Sequence, residues 1–358
     1  MKTISKSLVA FLLFGFQLSA QDTFNPETAL ADLTGKKRNI GIAAGYSIDG
    51  ELVWSGAEGF LCEGESDAFS TSTLTRIASI AKNFTAVAIM QLAEKDVLDL
   101  EAPISTYLEN LPQDKQGITT KQLLAHTSGV SQYLDEKEIE NTKHFGTLEE
   151  AMQVFINRPL LFEPGSKYFY TTYGYVILGR IIEETADMSY WEYMEKNIFA
   201  VAGMNNTTIE EIGKSYPNKS CLYHNNGRKA KAGKQNDLSN RIPGGGFHST
   251  LEDVLKFGNA LLEGKLIPLE VLENMTQPQP VEYDGNKYSL GWFLYGPAPI
   301  ENVVIGHSGG QTGCTSQLMI VPKSKTVVVV LSNTSGNYPQ IATYASNLVG
   351  YSERQKAP

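Results

Sequence analysis

The sequence predicts an α+β fold in which an antiparallel sheet assembled from both chain ends is flanked by helices and joined to a mainly helical subdomain. Three observations point to it. Gly41 to Ile48, an Asp49-Gly50 turn and Glu51 to Gly56 read as a β-hairpin. Strand signals return only from about Val303 to Leu331. The residues between are mainly helical in pattern, and a last helix falls at about Gln340 to Leu348. A sheet drawn from both ends and covered by helices is a layered arrangement that buries the apolar faces of both.

The chain opens with Lys2 and Lys6, an apolar run from Leu8 to Phe16, and Ser19-Ala20 before Gln21. This is the pattern of a cleavable secretory signal over residues 1–20, leaving 21–358 as a single domain that is periplasmic or secreted. The run is shorter than the ~20 residues that span a bilayer, so no stable membrane insertion is expected after cleavage. No cysteine lies near the cleavage site to carry a lipid. With 42% hydrophobic and 19% charged residues, and no repeat or low-complexity tract, the chain supports a sizeable core. The formal charge of −9 becomes −11 when Lys2 and Lys6 are lost, which excludes nucleic acid as a natural partner. Cys62, Cys221 and Cys314 permit at most one internal disulfide, have no metal-site spacing and read as small buried hydrophobes. His126, His144, His224 and His248 are scattered, with structural hydrogen bonding the default for each. Neither a metal nor a cofactor is implied.

Ser79-Ile80-Ala81-Lys82 opens a stretch, Ile80 to Ala93, that is apolar nearly all round and reads as a buried central helix. Residues three apart share a helix face, so Ser79 and Lys82 are neighbours and Lys82 is desolvated. A desolvated lysine gives up its proton more easily than one at the reference pKa of about 10.4, and so activates an adjacent hydroxyl. On these four residues alone, a Ser N-cap followed by a Lys that snorkels out of the core stands level with that reading.

Two later segments add to it. Pro164-Gly165 makes a turn, and Tyr168 to Thr172 follows. Gly174 to Ile182 then reads as a packed helix, leaving Tyr170 on a loop. Val303 to Ile305 leads into Gly306-His307-Ser308-Gly309-Gly310, a glycine-rich strand that a substrate backbone can approach closely. The same residues fit the G-x-S-x-G elbow of α/β-hydrolases, with Ser308 as nucleophile. After Gly310, however, there is no His and no Asp, and the only acid is Glu353. Gln317 to Val321 and Thr326 to Leu331 also read as strands around a Pro322 to Lys325 turn, where an elbow requires a helix. The elbow is rejected.

The order serine-lysine, tyrosine, glycine-rich strand resembles the penicillin-binding and serine β-lactamase superfamily. The resemblance is strongest to its class C-like branch, among the mitochondrial serine β-lactamase-like proteins and their bacterial relatives. It extends from about Asn39 to Leu348 and is carried by Arg76 to Lys82, Leu123 to Gly129, Phe162 to Ser166, Tyr170 to Tyr175, Gly244 to Thr250 with Asp253 and Phe257, Gly291-Trp292, and His307 to Gly310. It implies a β-lactamase/transpeptidase-like fold with the site in a cleft between sheet and helical part. It also implies acyl transfer through Ser79, with Lys82 and Tyr170 sharing the base role, a phenol flanked by cations being partly ionised or relaying a proton. The N–H groups of Ser79 and Gly310 would hold the oxyanion, and Thr172, His307, Ser308 and Gly309 would line the substrate site.

Two departures bear on substrate. Thr172 stands where the superfamily usually has Asn, and His307 where it usually has Lys. A His with reference pKa of about 6.5 reads a substrate carboxylate weakly at neutral pH and better as pH falls. The reading is a secreted serine hydrolase, first a peptidase or amidase, acting on a small-molecule or peptide substrate with an amide or ester carbonyl. The alternatives are an esterase, a class C-like β-lactamase or D-alanyl-D-alanine carboxypeptidase, and, in another class, a catalytically weak binding or filament-forming protein.

Overall fold

The computed structural model describes residues 24–35, 38–279, 287–295 and 303–356; the signal reading of residues 1–20 lies outside them. The N-terminal hairpin forms from Gly41–Ile48 and Glu51–Gly59. Asp49 and Gly50 both take positive φ, 50° and 85°, the condition for the type I′ turn that matches strand twist. Gly41–Ile48 pairs on its other side with Thr326–Ser332, from Ile42 opposite Ser332 to Ile48 opposite Thr326. This closes the sheet from both chain ends. The complete antiparallel order is Glu51–Gly59, Gly41–Ile48, Thr326–Ser332, Cys314–Val321, Val304–Gln311, Phe293–Tyr295 and Lys287–Tyr288.

Because side chains alternate across a strand, this sheet separates two cores. Ile42, Ala44, Met319, Val328 and Val330 meet Leu30 of the Pro26–Thr34 helix and Ile341, Tyr344 and Leu348 of the Tyr338–Gln355 helix. Ala43, Leu318, Ile320, Val327, Val329 and Leu331 face the larger core, built on the Ala81–Glu94, Tyr173–Ala186 and Leu251–Leu262 helices. With both faces covered, the Val327 to Val330 run is buried throughout, hence the unbroken apolar sequence. Phe84 sits at the centre of the larger core, 4.5 Å between ring centroids from Phe257 and 5.6 Å from Phe199; emptying such a site costs ~3–5 kcal/mol. Among the described residues no helix is long and apolar enough to cross a membrane.

Two expectations are corrected. Strands are not confined to the ends: Thr75–Arg76, Thr208–Ile209 and Phe247–Ser249 form one small sheet, and Tyr223–Asn225, Ala230–Ala232 and Thr334–Ser335 another. At two or three residues each they are too short for alternation to register. The cysteines are not all small buried hydrophobes. Cys62 and Cys221 form a disulfide across a separation of 159 residues, while Cys314 is buried and free. Their pairing is set by backbone contact between distant loops, Cys221 N–H donating to Leu61 O at 3.0 Å, which spacing does not encode. Cys62→Ala with Cys221→Ala should lower stability by about 2–5 kcal/mol, measured by urea unfolding. An unchanged unfolding midpoint in the variant would mean that the bridge constrains nothing.

Candidate active site

Ser79 lies in a 3₁₀ turn, Ala78–Ile80, that runs directly into the Ala81–Glu94 helix. Ile77 and Ile80 hold the cap positions and no side chain caps either element, so the N-cap reading of Ser79 falls. The turn is fixed from below. Ser316 Oγ donates to Ile77 O at 2.8 Å, Cys314 Sγ donates to Arg76 O, and Ile77 N–H donates to Phe247 O at 3.2 Å. Arg76 is buried and spreads its guanidinium over Glu210 Oε2 (2.6 Å), Asn236 Oδ1 (2.7 Å) and Thr312 O (2.8 Å). These bonds hold Ala78 at φ 48°, a left-handed conformation costing an alanine ~1–2 kcal/mol.

The strand Val304–Gln311 passes directly over this turn. A Cβ on Gly309 would lie 2.5 Å from Ile77 O and 3.0 Å from Ala78 Cβ. The close approach that Gly309 permits is that of the protein's own turn. Gly310 is exposed, with open space where a side chain would stand. Pairing with Phe293–Tyr295 ends at Gly306. Among the described residues the edge from Ser308 to Gln311 has no strand neighbour on that side, and the strand passes beside the turn that carries half-buried Ser79.

Lys82 is fully buried. Its Nζ lies 3.1 Å from Ser79 Oγ, 3.3 Å from Thr172 Oγ1 and 2.7 Å from Gly244 O. Burial, with the charge of Arg241 second, holds Lys82 well below the ordinary lysine value. A neutral amine donates to Gly244 and Thr172 and retains a lone pair for the Ser79 hydroxyl. Gly244 must be a glycine here, because a Cβ would stand 2.5 Å from Thr172 Cγ2 and 3.4 Å from the amine itself.

Tyr170 is on a loop, as its sequence indicates, and its hydroxyl is placed toward Ser79. Its ring packs among His126, Tyr288, Phe293 and His307 and lies 4.9 Å from Lys82 Nζ at the centroid. Burial pushes the phenol well above its ordinary value, and the Ser79 hydrogen bond only partly offsets this. Burial thus favours a protonated phenol, able to relay, over an ionised Tyr170. Thr172 is buried and turned inward, Oγ1 taking Lys82 and Gln132 Nε2 (3.1 Å) while its N–H donates to Gln132 Oε1 (3.1 Å). It contacts the amine rather than open cleft. Gln132, bonded to Thr172, is half-buried.

His307 is 1% exposed, so its ring is enclosed rather than open along the substrate site. Nδ1–H donates to Ser308 O at 2.6 Å, and Nε2 accepts from the Tyr288 hydroxyl at 3.1 Å. Burial first, then the neighbouring Lys82, pushes His307 down to about 3, so it is neutral throughout the ordinary pH range. Sequence reasoning missed Gln132, Arg241 and the Gly244 carbonyl. Gly244 stood inside a recognised segment, but nothing in the sequence says which carbonyl receives the amine. Among the described residues no group of three or more His, Cys, Asp and Glu side chains is placed to hold a metal ion.

The profile of the Beta-lactamase family matches residues 27–350. The chain is similar to Serine beta-lactamase-like protein LACTB, mitochondrial, of Homo sapiens, with 28% identity over 377 residues, covering 79% of this chain and 69% of that protein. It is similar to Penicillin-binding protein 4* of Bacillus subtilis (strain 168), with 27% identity over 320 residues, covering 85% and 70%. The D-amino acid amidase of Ochrobactrum anthropi SV3 superposes with a TM-score of 0.81 at 20% identity, over 93% of this chain and 99% of that one, a likeness of fold.

The electrostatics of the amine give a signed expectation. If Lys82 takes the proton of Ser79, Ser79 acylation rises with pH as Lys82 deprotonates, below the ordinary lysine range. Arg241→Gln removes the second cause of its depression and should move that ascending limb to higher pH, read from the rate of fluorophosphonate labelling against pH. A limb that stays in place would detach Arg241 from the amine. A lysine with a depressed folded pKa also binds fewer protons than in the unfolded chain, so it lowers stability below its unfolded pKa and the loss recovers as pH rises. At neutral pH Lys82→Met should therefore abolish labelling without lowering the melting temperature.

Proposed function

This chain belongs to the Beta-lactamase family, within the β-lactamase/transpeptidase-like superfamily of serine hydrolases, and we propose that it cleaves amide or peptide bonds through an acyl-enzyme on Ser79. One observation carries the reading: a buried amine, held below its ordinary pKa, 3.1 Å from the hydroxyl of a half-buried serine. Lys82 takes the proton as Ser79 Oγ attacks the carbonyl carbon. The N–H groups of Ser79 and Gly310 meet the oxyanion, a kind of contact worth ~3–4 kcal/mol in the barrier per donor. Collapse breaks the C–N bond, the leaving nitrogen takes a proton through Tyr170, and water then hydrolyses the ester by the reverse relay.

The protonated phenol supports an amide over an ester, because an amine leaves only once protonated whereas an alkoxide needs this less. Neutral His307 supports the same preference over a drug-hydrolysing β-lactamase or a D-alanyl-D-alanine carboxypeptidase, which act on carboxylated substrates. The Cys62–Cys221 disulfide supports export into an oxidising compartment, in keeping with a single domain over 21–358 behind a cleaved signal. An aligned Ser79, Lys82 and Tyr170 weighs against a purely binding or filament-forming role.

Intact-protein mass spectrometry after exposure to a panel of peptides, amino-acid amides, esters and β-lactams should record acylation by amides, lost in Ser79→Ala. Acylation by esters alone would replace the amidase reading with an esterase. Because His307 stays neutral above about 3, KM for a carboxylated peptide should follow the same pH course as KM for a neutral amide over about pH 5–8. A KM that falls with pH for the carboxylated substrate alone would return His307 to the role of charge reader.

A further inference from the structure

The loop that presents Tyr170 is laid along residues 126–132 by a series of hydrogen bonds, and one residue of that track grips both neighbours of the tyrosine. His126 O accepts the Phe169 N–H at 2.8 Å, and His126 Nδ1 accepts the Thr171 N–H at 3.2 Å. Between those two bonds the imidazole packs on the Tyr170 ring, 4.3 Å between centroids, and on Tyr175 and Tyr288 at 5.3 and 4.6 Å. The other bonds of the track, Gly165 N–H to Thr127 O, Thr171 Oγ1 to Ser131 O and Thr172 N–H to Gln132, hold the loop without touching the phenol.

His126 is fully buried and in the left-handed region at φ 59°, and its Nε2 has no hydrogen-bond partner among the described residues. Since Nδ1 accepts a backbone N–H, the neutral ring carries its proton on Nε2, where nothing receives it. Leaving a buried donor unpaired costs ~1–3 kcal/mol, and a residue chosen only for stability would not keep it. What the ring supplies in return is an acceptor at one corner and a flat face at the other, both directed at the Tyr170 segment.

We propose that His126 is the positioning residue of the site, setting the phenol of Tyr170 over Ser79 by bonding the backbone on either side of it and packing on its ring. It reaches no reacting atom itself. The inference rests on the reading of Ser79 as the acylated residue and of Tyr170 as its relay.

The test is a double-mutant cycle on the rate of Ser79 acylation, followed by mass spectrometry with a p-nitroanilide substrate. His126→Ala should slow acylation by about 10–100-fold, the scale of a misplaced catalytic group, with little change in KM. In the Tyr170→Phe background, where there is no hydroxyl to place, the same substitution should cost less than about threefold. His126→Asn keeps an acceptor for Thr171 and tolerates positive φ, so it should recover most of the rate that His126→Ala loses. Equal losses in both backgrounds would overturn the proposal by making His126 independent of Tyr170. A readout free of activity separates this from failure of the underlying reading. With 3-fluorotyrosine at position 170, the ¹⁹F resonance should shift or broaden in His126→Ala and return in His126→Asn. An unchanged resonance overturns the positioning role whatever Ser79 does, whereas a shifted one alongside an unreactive Ser79 overturns only the hydrolase reading.

Discussion

The removal of one amine from water governs the architecture around Ser79. Lys82 sits on a helix that is apolar almost all round, where a cation has no solvent to retreat to, and the only relief is a set of acceptors brought to it from distant parts of the chain. Gly244 comes from a segment 162 residues away and Thr172 from one 90 residues away, so a single nitrogen draws three segments into register. Their arrival has steric terms of its own. Gly244 can carry no side chain, Thr172 must turn inward, and the tyrosine two residues earlier is thereby fixed beside the same serine. Stability is lost where reactivity is gained, as is usual for a titratable group held off its ordinary pKa by burial.

Such a centre requires a rigid support, and the sheet closed from both chain ends provides one. The hairpin at residues 41–59 anchors Thr326–Ser332, which anchors Cys314–Val321, which carries Val304–Gln311 across the Ser79 turn. Ser316 and Cys314 bond that turn from beneath while Gly309 allows the strand to lie against it. Arg76 and Glu210 lock the hairpin tip at Thr312 to the small sheet behind. The positive φ of Ala78 is held by contacts formed only when both ends of the chain are in place.

How much of this was legible follows from the range of each interaction. The N-terminal hairpin, the Ala81–Glu94 helix and the C-terminal strands are written in local pattern, and the structure reproduces them, with Tyr170 on its loop. Ser79, Lys82 and Tyr170 were found by order along the chain, and the geometry brings them together. What pattern does not hold is the partner of a buried group. Gln132 and Arg241 look like ordinary polar residues until folding sets them against Thr172 and near Lys82. His126 looked structural and is structural in its bonds, but the object it holds is Tyr170. His307 was misjudged for the same reason: its reference pKa belongs to a solvated ring, and nothing in Gly306-His307-Ser308 reveals that Tyr288 and the Ser308 carbonyl enclose it.

The enclosure of His307 bears on what the cleft can recognise. A lysine at that position would bring a second amine close to Lys82 in a low-dielectric wall, and each would hold the other's pKa down. It would also need acceptors, where Tyr288 supplies one hydroxyl already given to the ring. With a neutral imidazole in place the wall gains no charge there, and Arg241, whose charge acts on Lys82, is buried and bonded to Glu138 O and Ile139 O. Among the described residues, the backbone edge from Ser308 to Gln311 and the Gln132 amide present dipoles near Ser79 and Thr172. Dipoles arranged along an extended strand edge suit the repeating N–H and C=O of an extended chain, which such an edge can hold without a charge to read.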